Sequence, residues 1–424
     1  MKFIFADSLD FVDPRYDFLN DRNGEGRRPY WDDAYPHEIM GYAPYGGVLI
    51  SRGIVGDHRV KGKYSEAQAM RFRRVGAREF LRLNDPKFAS LDLFGDCGAF
   101  TYVKDTVPPY TPADTAEFYA DCGFSHGCSV DHIIFDFDET LSGMMSVSPE
   151  AKRRYDITIE NADAFYKETR ALRNFTPLGV VQGWSPTSMA QAAKSLVAMG
   201  YDYLALGGMV PLKSDQIKAC LAAIREVVPP QTRLHILGFA KANEIDTFGP
   251  FNITSFDTTS PLLRAFKDAK QNYFLRNESG KLDYFTAIRV PQAIENSRLT
   301  RLVRQGDFRA EDLSILETES LRALRHFDAV GGDVEAVLEP VLEYNAIIAT
   351  DRPYAEVRDT PTMKRLESAY RETLTSHPWK RCGCTICENA GIEVMIFRAS
   401  NRNKRRGIHN LAVYKSLIDD LSAG

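Results

Sequence analysis

The chain has little of three things: long hydrophobic runs, excess charge of one sign, and paired cysteines. None of its apolar stretches is long enough to span a membrane, so we expect no membrane partner. The formal net charge is -4, and this balance does not point to nucleic acid. Seven cysteines are an odd number, and residues 1–7 turn acidic too early for a secretory signal. We therefore expect reduced thiols and a cytoplasmic protein.

Three of the seven cysteines stand close together near the end of the chain. They form a C-x-C-x-x-C array, and a histidine follows 22 residues after the last of them. Thiolate and imidazole are the ligands of closed, tetrahedral structural zinc sites, and such binding can contribute folding energy. The pattern predicts a structural Zn²⁺ ion held by Cys382, Cys384, Cys387 and His409. The alternative is a set of free cysteines in a helical turn.

Short apolar runs alternate with helical patterns over the first two thirds of the chain. The runs are rich in Val, Ile, Leu and Phe without clean alternation, which is typical of strands buried on both faces. Hydroxyl residues followed by proline, at 111, 148, 185 and 260, mark helix starts between them. The predicted strands are 3–6, 47–50, 91–94, 132–135, 178–182, 203–206, 234–237 and 253–256.

Eight strands with intervening helices predict an α/β protein built on a (β/α)8 TIM barrel. An open doubly wound sheet is the alternative. The barrel core is expected over residues 1–273. Residues 274–376 show helical stretches without strand-like alternation, which indicates a helical insertion. A zinc-binding subdomain and a final barrel helix are expected over residues 377–424.

Polar residues follow several of the predicted strands, where a barrel places its catalytic groups. Two carboxylates that face one pocket can divide the roles of nucleophile and general acid or base, as they do at glycosidic carbons. A glycine pair lets a ligand approach bare backbone N–H groups. Each residue alone has an ordinary explanation, such as a helix N-cap, so the inference depends on their co-location. The candidates are Asp96, Asp136, Gln182, Gly207, Gly208 and Asp257.

One segment suggests a different enzyme. Residues 136–140 match the D-x-D-x-T motif of haloacid-dehalogenase-type phosphatases, in which the first Asp is the nucleophile and magnesium is the cofactor. That motif normally follows the first strand of its domain, whereas three predicted strands precede it here. The phosphatase is therefore the less favoured alternative.

Together and in this order, the motifs resemble the tRNA-guanine transglycosylase superfamily from about residue 90 onward. The most specific part is the C-x-C-x-x-C array with its distant His409-Asn410-Leu411. Residues 180–183 and 204–208 are similar to the Val-Gln-Gly and Leu-Ala-Ile-Gly-Gly strands of the superfamily. The resemblance implies a zinc-bearing (β/α)8 barrel that exchanges guanine for a 7-deazaguanine at an intact nucleic-acid sugar.

The resemblance also implies residue roles. Asp257 matches the nucleophile that attacks the anomeric carbon and forms a covalent intermediate, and Asp96 matches the general acid/base. Asp136 matches the carboxylate that reads the edge of the base. Further base contacts are implied for Gln182, Gly207 and Gly208. A basic run at 398–406 could follow phosphates, or it could be a solvated loop.

Differences from the sequence motifs of the bacterial tRNA enzymes indicate which branch of the superfamily this chain resembles more. Residues 97–101 read Cys-Gly-Ala-Phe-Thr instead of Ser-Gly-Gly-Phe-Gln, and residues 258–261 replace a Pro-Thr-Arg run. The pattern is most similar to the DNA-modifying branch, which inserts 7-cyano-7-deazaguanine into DNA. A tRNA-guanine transglycosylase is the first alternative, and a non-catalytic, zinc-stabilised nucleic-acid-binding subunit is the second. The sequence leaves open whether a helper ATPase is a partner.

Overall fold

Eight parallel strands close into a barrel in a computed structural model that describes residues 1–145, 147–239 and 241–423. The strands follow chain order around the barrel, and the first pairs with the eighth. This confirms the predicted α/β barrel and excludes the open sheet. The strands are β1 (Lys2–Ala6), β2 (Gly47–Ser51), β3 (Asp92–Asp96), β4 (His126–Cys128), β5 (Thr176–Val181), β6 (Tyr203–Leu206), β7 (Arg233–Ile236) and β8 (Ser255–Thr258).

Side chains from every second strand position fill the barrel, because successive residues of a strand point to opposite faces. The interior cluster includes Ile4, Leu49, Phe94, Leu178 and Tyr203, all nearly inaccessible to solvent. The barrel interior is therefore a packed core rather than an open channel.

The helices that follow Thr111, Ser148 and Ser185 begin where the sequence predicts them. The side chains of Thr111, Ser148 and Ser185 each accept a hydrogen bond from the backbone N–H three residues later. In chain order the helices are α1 (Pro36–Met40), α2 (Arg52–Val55), α3 (Glu66–Val75), α4 (Ala77–Phe80), α5 (Pro112–Asp121), α6 (Pro149–Thr169), α7 (Pro186–Met199), α8 (Ser214–Val227), α9 (Ser260–Lys267), α10 (Ser297–Gln305), α11 (Ala310–Val330), α12 (Val334–Thr350), α13 (Tyr354–Val357), α14 (Pro361–Ser376), α15 (Pro378–Arg381), α16 (Thr385–Ala390) and α17 (Ser400–Ala423). Among the described residues, no helix combines the length and the apolar character needed to cross a membrane.

The fourth strand differs from its prediction. The apolar run at 132–135 is buried except for the exposed Phe135, and it is not a strand. β4 lies earlier, at His126–Cys128. Two backbone N–H groups of this run are hydrogen-bonded to side chains and not to a neighbouring strand. His132 N–H donates to Thr158 Oγ1 at 3.0 Å, and Ile134 N–H donates to Gln182 Oε1 at 3.2 Å. A short apolar run does not distinguish a strand from a buried loop, and here side-chain partners replace the strand ladder.

Contacts group the chain into two compact units. The barrel unit comprises Met1–Leu9, Tyr45–Thr259 and the residues from Ile418 onward, and the second unit comprises Asp10–Pro44 and Ser260–Leu417. The three-segment division at 273 and 376 stays a prediction about domains.

The second unit is mainly helical over 274–376, as the sequence predicts. It also contains two small sheets that the pattern did not indicate. β9 (Tyr273–Arg276) pairs antiparallel with β10 (Leu282–Phe285), and β11 (Ile288–Arg289) pairs parallel with β12 (Ile396–Phe397). These strands are only two to four residues long, which is too short for a periodic signal.

The basic run at 398–406 forms neither a phosphate track nor a solvated loop. It lies in and just before α17, and its four arginines are buried. Arg402 Nε donates to Glu393 Oε2 at 2.6 Å, and its other nitrogens bind Asp21 and the carbonyl of Phe18. Arg398 Nε donates to the second oxygen of Asp21 at 2.6 Å. The run is an internal ion-pair network of the second unit.

Candidate active site

A cavity of about 240 Å³ opens at the carboxyl ends of the barrel strands. This volume is below the range of pockets for drug-sized ligands and suits one small planar group. Its lining includes residues from the ends of β3, β5, β6 and β8, as the sequence predicts. The predicted site residues that line it are Asp96, Gln182, Gly207, Gly208 and Asp257.

Asp136 is the predicted site residue that does not line this cavity. Its side chain is exposed, and its Oδ2 accepts a hydrogen bond from Ser148 Oγ at 3.0 Å, at the N-terminus of α6. The prediction placed Asp136 at the end of a strand, but the segment that precedes it is a loop. The structure therefore corrects its position from the pocket to the protein surface.

Asp131 lies in the cavity instead, three residues after the end of β4. It is 3% exposed. The Cys97 thiol donates to its Oδ1 at 3.0 Å, and Gln182 Nε2 donates to its Oδ2 at 2.7 Å. Burial raises its pKa, while these two donors lower it. Each carboxylate oxygen has a second lone pair, so Asp131 can still accept two hydrogen bonds from a ligand.

Asp96 ends β3 beside Ser51, its register partner on β2. Gly98 N–H donates to its Oδ2 at 3.1 Å. Burial raises the pKa of Asp96 to about 7, and the charges of Asp131 and Asp257 act in the same direction. A carboxyl group with this pKa exchanges protons easily at neutral pH, as a general acid/base must.

Asp257 lies in β8 and is 6% exposed. Two donors converge on its Oδ1: Gly238 N–H at 2.9 Å and His235 Nε2 at 3.2 Å. Within the described residues no hydrogen bond is found on Oδ2, so this oxygen is the one available to a reacting carbon. The arrangement holds a carboxylate in one orientation at the cavity wall, which suits a nucleophile.

The glycine pair has a packing role beside its predicted one. A Cβ on Gly207 would lie 2.2 Å from Gln182 Nε2, so only glycine leaves room for the amide that binds Asp131. Gly208 has a φ of +71°, which a side chain rarely adopts. Gly207 N–H donates to the carbonyl of Val181 at 3.0 Å and is not available to a ligand.

Sequence reasoning missed Asp131 and His235. The end of α5 at Asp121 could have indicated Asp131. Loops from a helix to the next strand are usually short, so the fourth strand is expected near residue 126, and Asp131 follows its end. No local signal indicates His235, which lies inside the barrel on β7 and is fully buried.

The D-x-D-x-T segment forms a local turn. Asp138 Oδ1 accepts hydrogen bonds from the backbone N–H of Thr140 at 2.9 Å and from its hydroxyl at 2.6 Å. In a phosphatase site, the carboxylates of both aspartates would have to face the same metal ion and phosphate. Here the Asp136 carboxylate instead accepts a hydrogen bond from the Ser148 hydroxyl. The local hydrogen bonds explain these residues without a phosphatase site.

The predicted metal ligands come together in the second unit. Cys382, Cys384, Cys387 and His409 offer donor atoms that all lie within 4.8 Å of one another. The three sulfurs are 3.3, 3.4 and 3.4 Å from His409 Nδ1. In a tetrahedron with metal–ligand bonds of about 2.3 and 2.0 Å, sulfur and nitrogen would be about 3.5 Å apart. His409 Nε2 bonds the carbonyl of Phe274 at 2.7 Å, which leaves Nδ1 for a metal.

Comparison with known proteins agrees with this geometry. No family model matches the chain. A protein of Salmonella montevideo described as a "DNA-guanine transglycosylase" is 39% identical over 417 residues, which cover 97% of this chain and 95% of that protein. The chain therefore belongs to the DNA-guanine transglycosylases, a family of pentosyltransferases within the tRNA-guanine transglycosylase superfamily.

Proposed function

We propose that this protein exchanges guanine in DNA for 7-cyano-7-deazaguanine in the barrel cavity, through a covalent Asp257–DNA intermediate. The observation that carries the proposal is the convergence of three carboxyl groups on one small cavity. Asp131 and Asp257 are buried, and the half-buried Asp96 has its pKa raised to about 7. A base inside a duplex cannot reach such a cavity, so the target guanosine has to be flipped out of the stack.

In the first half of the reaction, Asp257 Oδ2 attacks C1′ of the target nucleotide. The C1′–N9 bond breaks, its electron pair goes to the departing guanine, and protonated Asp96 supplies the proton that guanine takes up. A glycosyl ester between Asp257 and the DNA sugar results. The pKa of Asp96 keeps a large fraction of this group protonated at neutral pH, which supports its role as the acid.

The second half reverses these steps with a different base. Ionised Asp96 takes the N9 proton of 7-cyano-7-deazaguanine, and N9 attacks C1′. The C1′–O bond breaks, and its electron pair returns to Asp257 as carboxylate charge. One residue serves first as acid and then as base, as the symmetry of an exchange reaction requires.

Asp131 replaces Asp136 as the carboxylate that reads the base. Guanine and 7-deazaguanines share an N1–H and a 2-amino group on one edge, which together present two donors. The two oxygens of Asp131 are directed by Cys97 and Gln182 and can accept from this pair. A base without these donors would leave a buried carboxylate unpaired, and such mismatches reduce the rate strongly.

We further propose that Cys382, Cys384, Cys387 and His409 bind a structural zinc ion. Three thiolates and one imidazole form a closed set with no position left for substrate. The ion would join residues 382–387, which run from the end of α15 into α16, to α17 and would stabilise the second unit.

Nucleoside mass spectrometry tests the reaction. The chain and its Asp257→Asn variant would be expressed separately in cells that make 7-cyano-7-deazaguanine, with genomic neighbours such as a helper ATPase supplied. DNA and tRNA would then be digested separately. We expect a deazaguanine deoxynucleoside with the unaltered chain and none with Asp257→Asn.

The matched control is Asp136→Asn, which changes an aspartate outside the cavity and should keep the product. A deazaguanine nucleoside found only in tRNA would make tRNA the substrate. Product that persists with Asp257→Asn would remove Asp257 as the nucleophile. No product in either nucleic acid would favour the non-catalytic subunit.

A further inference from the structure

A chain of buried polar side chains runs through the barrel to Asp257. Tyr203 on β6, His235 on β7 and Ser255 on β8 form it, and all three are at most 3% exposed. Tyr203 OH lies 2.6 Å from Ser255 Oγ, and Ser255 Oγ lies 2.5 Å from His235 Nδ1. His235 Nε2 then contacts Asp257 Oδ1 at 3.2 Å. A buried polar group without a hydrogen-bond partner destabilises the fold, so each side chain in this series is held in the orientation that keeps its hydrogen bonds.

The chemistry at its ends sets the direction of the hydrogen bonds. Burial raises the pKa of Tyr203 to about 12, so its hydroxyl stays protonated and can donate to Ser255 Oγ. Ser255 then donates to His235 Nδ1, which places the histidine proton on Nε2, facing the Asp257 carboxylate. The ring of Phe94 stacks on His235 with centroids 5.1 Å apart and planes 25° apart, and this contact resists rotation of the imidazole.

We propose that His235 is a positioning residue for the nucleophile, held in its donor tautomer by Ser255 and Tyr203. Together with Gly238 N–H it fixes Asp257 Oδ1 and leaves Oδ2 to form the bond to C1′. The inference rests on the proposed function, because it assigns Asp257 as the nucleophile.

The two donors on Oδ1 act differently in the two halves of the exchange. In the ester intermediate Oδ1 is the carbonyl oxygen and keeps both hydrogen bonds. When the incoming base displaces Asp257, negative charge returns to the carboxylate, and donors already aimed at Oδ1 stabilise that charge as it develops. Loss of the His235 donor should therefore slow the second half more than the first, so the covalent intermediate accumulates.

A purely structural histidine would behave differently. If His235 only filled the barrel and paired with Ser255, its replacement would lower adduct formation and exchange together. The ratio of the covalent adduct to the exchanged product therefore separates a positioning role from a packing role.

The test compares three variants on a DNA substrate with 7-cyano-7-deazaguanine supplied, and measures both the denaturation-stable protein–DNA adduct and the exchanged base. His235→Phe keeps the ring stack and removes the donor, and we expect turnover to fall on the order of 100-fold while the adduct fraction rises. His235→Gln can present an N–H near the same place and should recover much of the turnover. Tyr203→Phe conserves volume and removes only the far end of the chain, so a smaller change in the same direction is expected.

If the turnover of His235→Phe matches that of the unaltered enzyme, or if adduct and product fall in parallel, His235 has no positioning role. Should His235→Phe fail to fold, the ratio of covalent adduct to exchanged product is measured in Tyr203→Phe and Ser255→Ala instead.

Nitrogen-15 NMR of histidine-labelled protein, with His235→Gln used for assignment, gives a readout independent of activity. Protonated Nε2 on His235 is expected, and an Nε2 without a proton overturns the proposal. Absence of exchange by the unaltered enzyme would instead refute the proposed function, so the two failures are distinguishable.

Discussion

At the scale of single residues, the choice between two nearby aspartates decides how the pocket reads its ligand. Asp131 is buried in the cavity between Cys97 and Gln182, whereas Asp136 is exposed and binds Ser148. The two are only five residues apart in sequence. Their burial gives them different roles, which a matched pair of substitutions separates.

Asp131→Asn should reduce kcat/KM for base exchange by about 100-fold or more. The new amide N–H would face the N1–H of the base, donor against donor, and polar mismatches in buried sites cost at least this much. Asp136→Asn should leave kcat/KM within about twofold, because surface substitutions away from a site change little. Equal rates for the two variants, measured by incorporation of labelled guanine into DNA, would contradict the assignment of Asp131.

The raised pKa of Asp96 predicts a pH-dependent penalty on stability. The folded protein holds the Asp96 proton up to about pH 7, whereas the unfolded chain releases it near the ordinary value of 3.8. The folded state therefore binds more protons between these values, and its free energy of unfolding falls as pH rises through this window. About three pKa units correspond to roughly 4 kcal/mol as an upper limit.

Asp96→Asn removes this titration. Denaturant unfolding at pH 5 and pH 8 should therefore show a smaller loss of stability with rising pH in Asp96→Asn than in the unaltered protein. The same pH dependence in both proteins would mean that Asp96 titrates normally.

At the scale of elements, α17 shows how a basic segment can serve the interior. A row of arginines reads from sequence as a surface for phosphates, but Arg402 is fully buried and paired with Asp21 and Glu393. Asp21 lies 381 residues from Arg402 in sequence, so its pairing with Arg402 could not be inferred locally. The network fixes the start of α17 within the second unit.

Removal of one partner from this network should be costly. Arg402→Met removes one charged donor from each of two carboxylates, leaving Asp21 with Arg398 and Glu393 with Arg325. Because charge-assisted hydrogen bonds to both buried acids are lost, we expect the free energy of unfolding to fall by about 3–5 kcal/mol. Arg309→Met is the matched control, because the Arg309 side chain is 76% exposed and its ion pair with Glu311, at 3.8 Å, is a surface pair. Such an exposed pair contributes at most about 1 kcal/mol to stability. Denaturant titration followed by circular dichroism measures both, and equal effects would show that burial of Arg402 contributes nothing.

At the scale of the whole molecule, the four-ligand cluster is a candidate metal site in the second unit. Its ligands come from a six-residue stretch and from His409 on α17, and His409 also binds Phe274. A bound ion would therefore hold three parts of that unit together.

We expect about one zinc per chain by elemental analysis, and loss of both zinc and thermal stability on prolonged chelation or in Cys384→Ser. Cys220→Ala is the control, since Cys220 is buried in α8 outside the cluster and its loss should leave the metal content unchanged. A Cys384→Ser protein with full zinc content would exclude this ligand set.

Local patterns predicted much of the barrel because they depend on near neighbours in sequence. Helix starts at Thr111, Ser148 and Ser185 need only a hydroxyl and the next turn of chain. Strands buried on both faces need only apolar runs, and seven of the eight predicted strands overlap those observed. Thiolates at C-x-C-x-x-C spacing meet because the chain between them is short.

The sequence by itself determined the barrel, the cysteine–histidine cluster and the strand-end positions of Asp96 and Asp257. Tertiary structure decided where β4 ends, and hence that Asp131 rather than Asp136 enters the cavity, because side chains of Thr158 and Gln182 take backbone groups of the following segment. It also decided the burial of the α17 arginines and the connection of Tyr203 through His235 to Asp257. Each of these depends on partners distant in sequence, which come together only when the chain is folded.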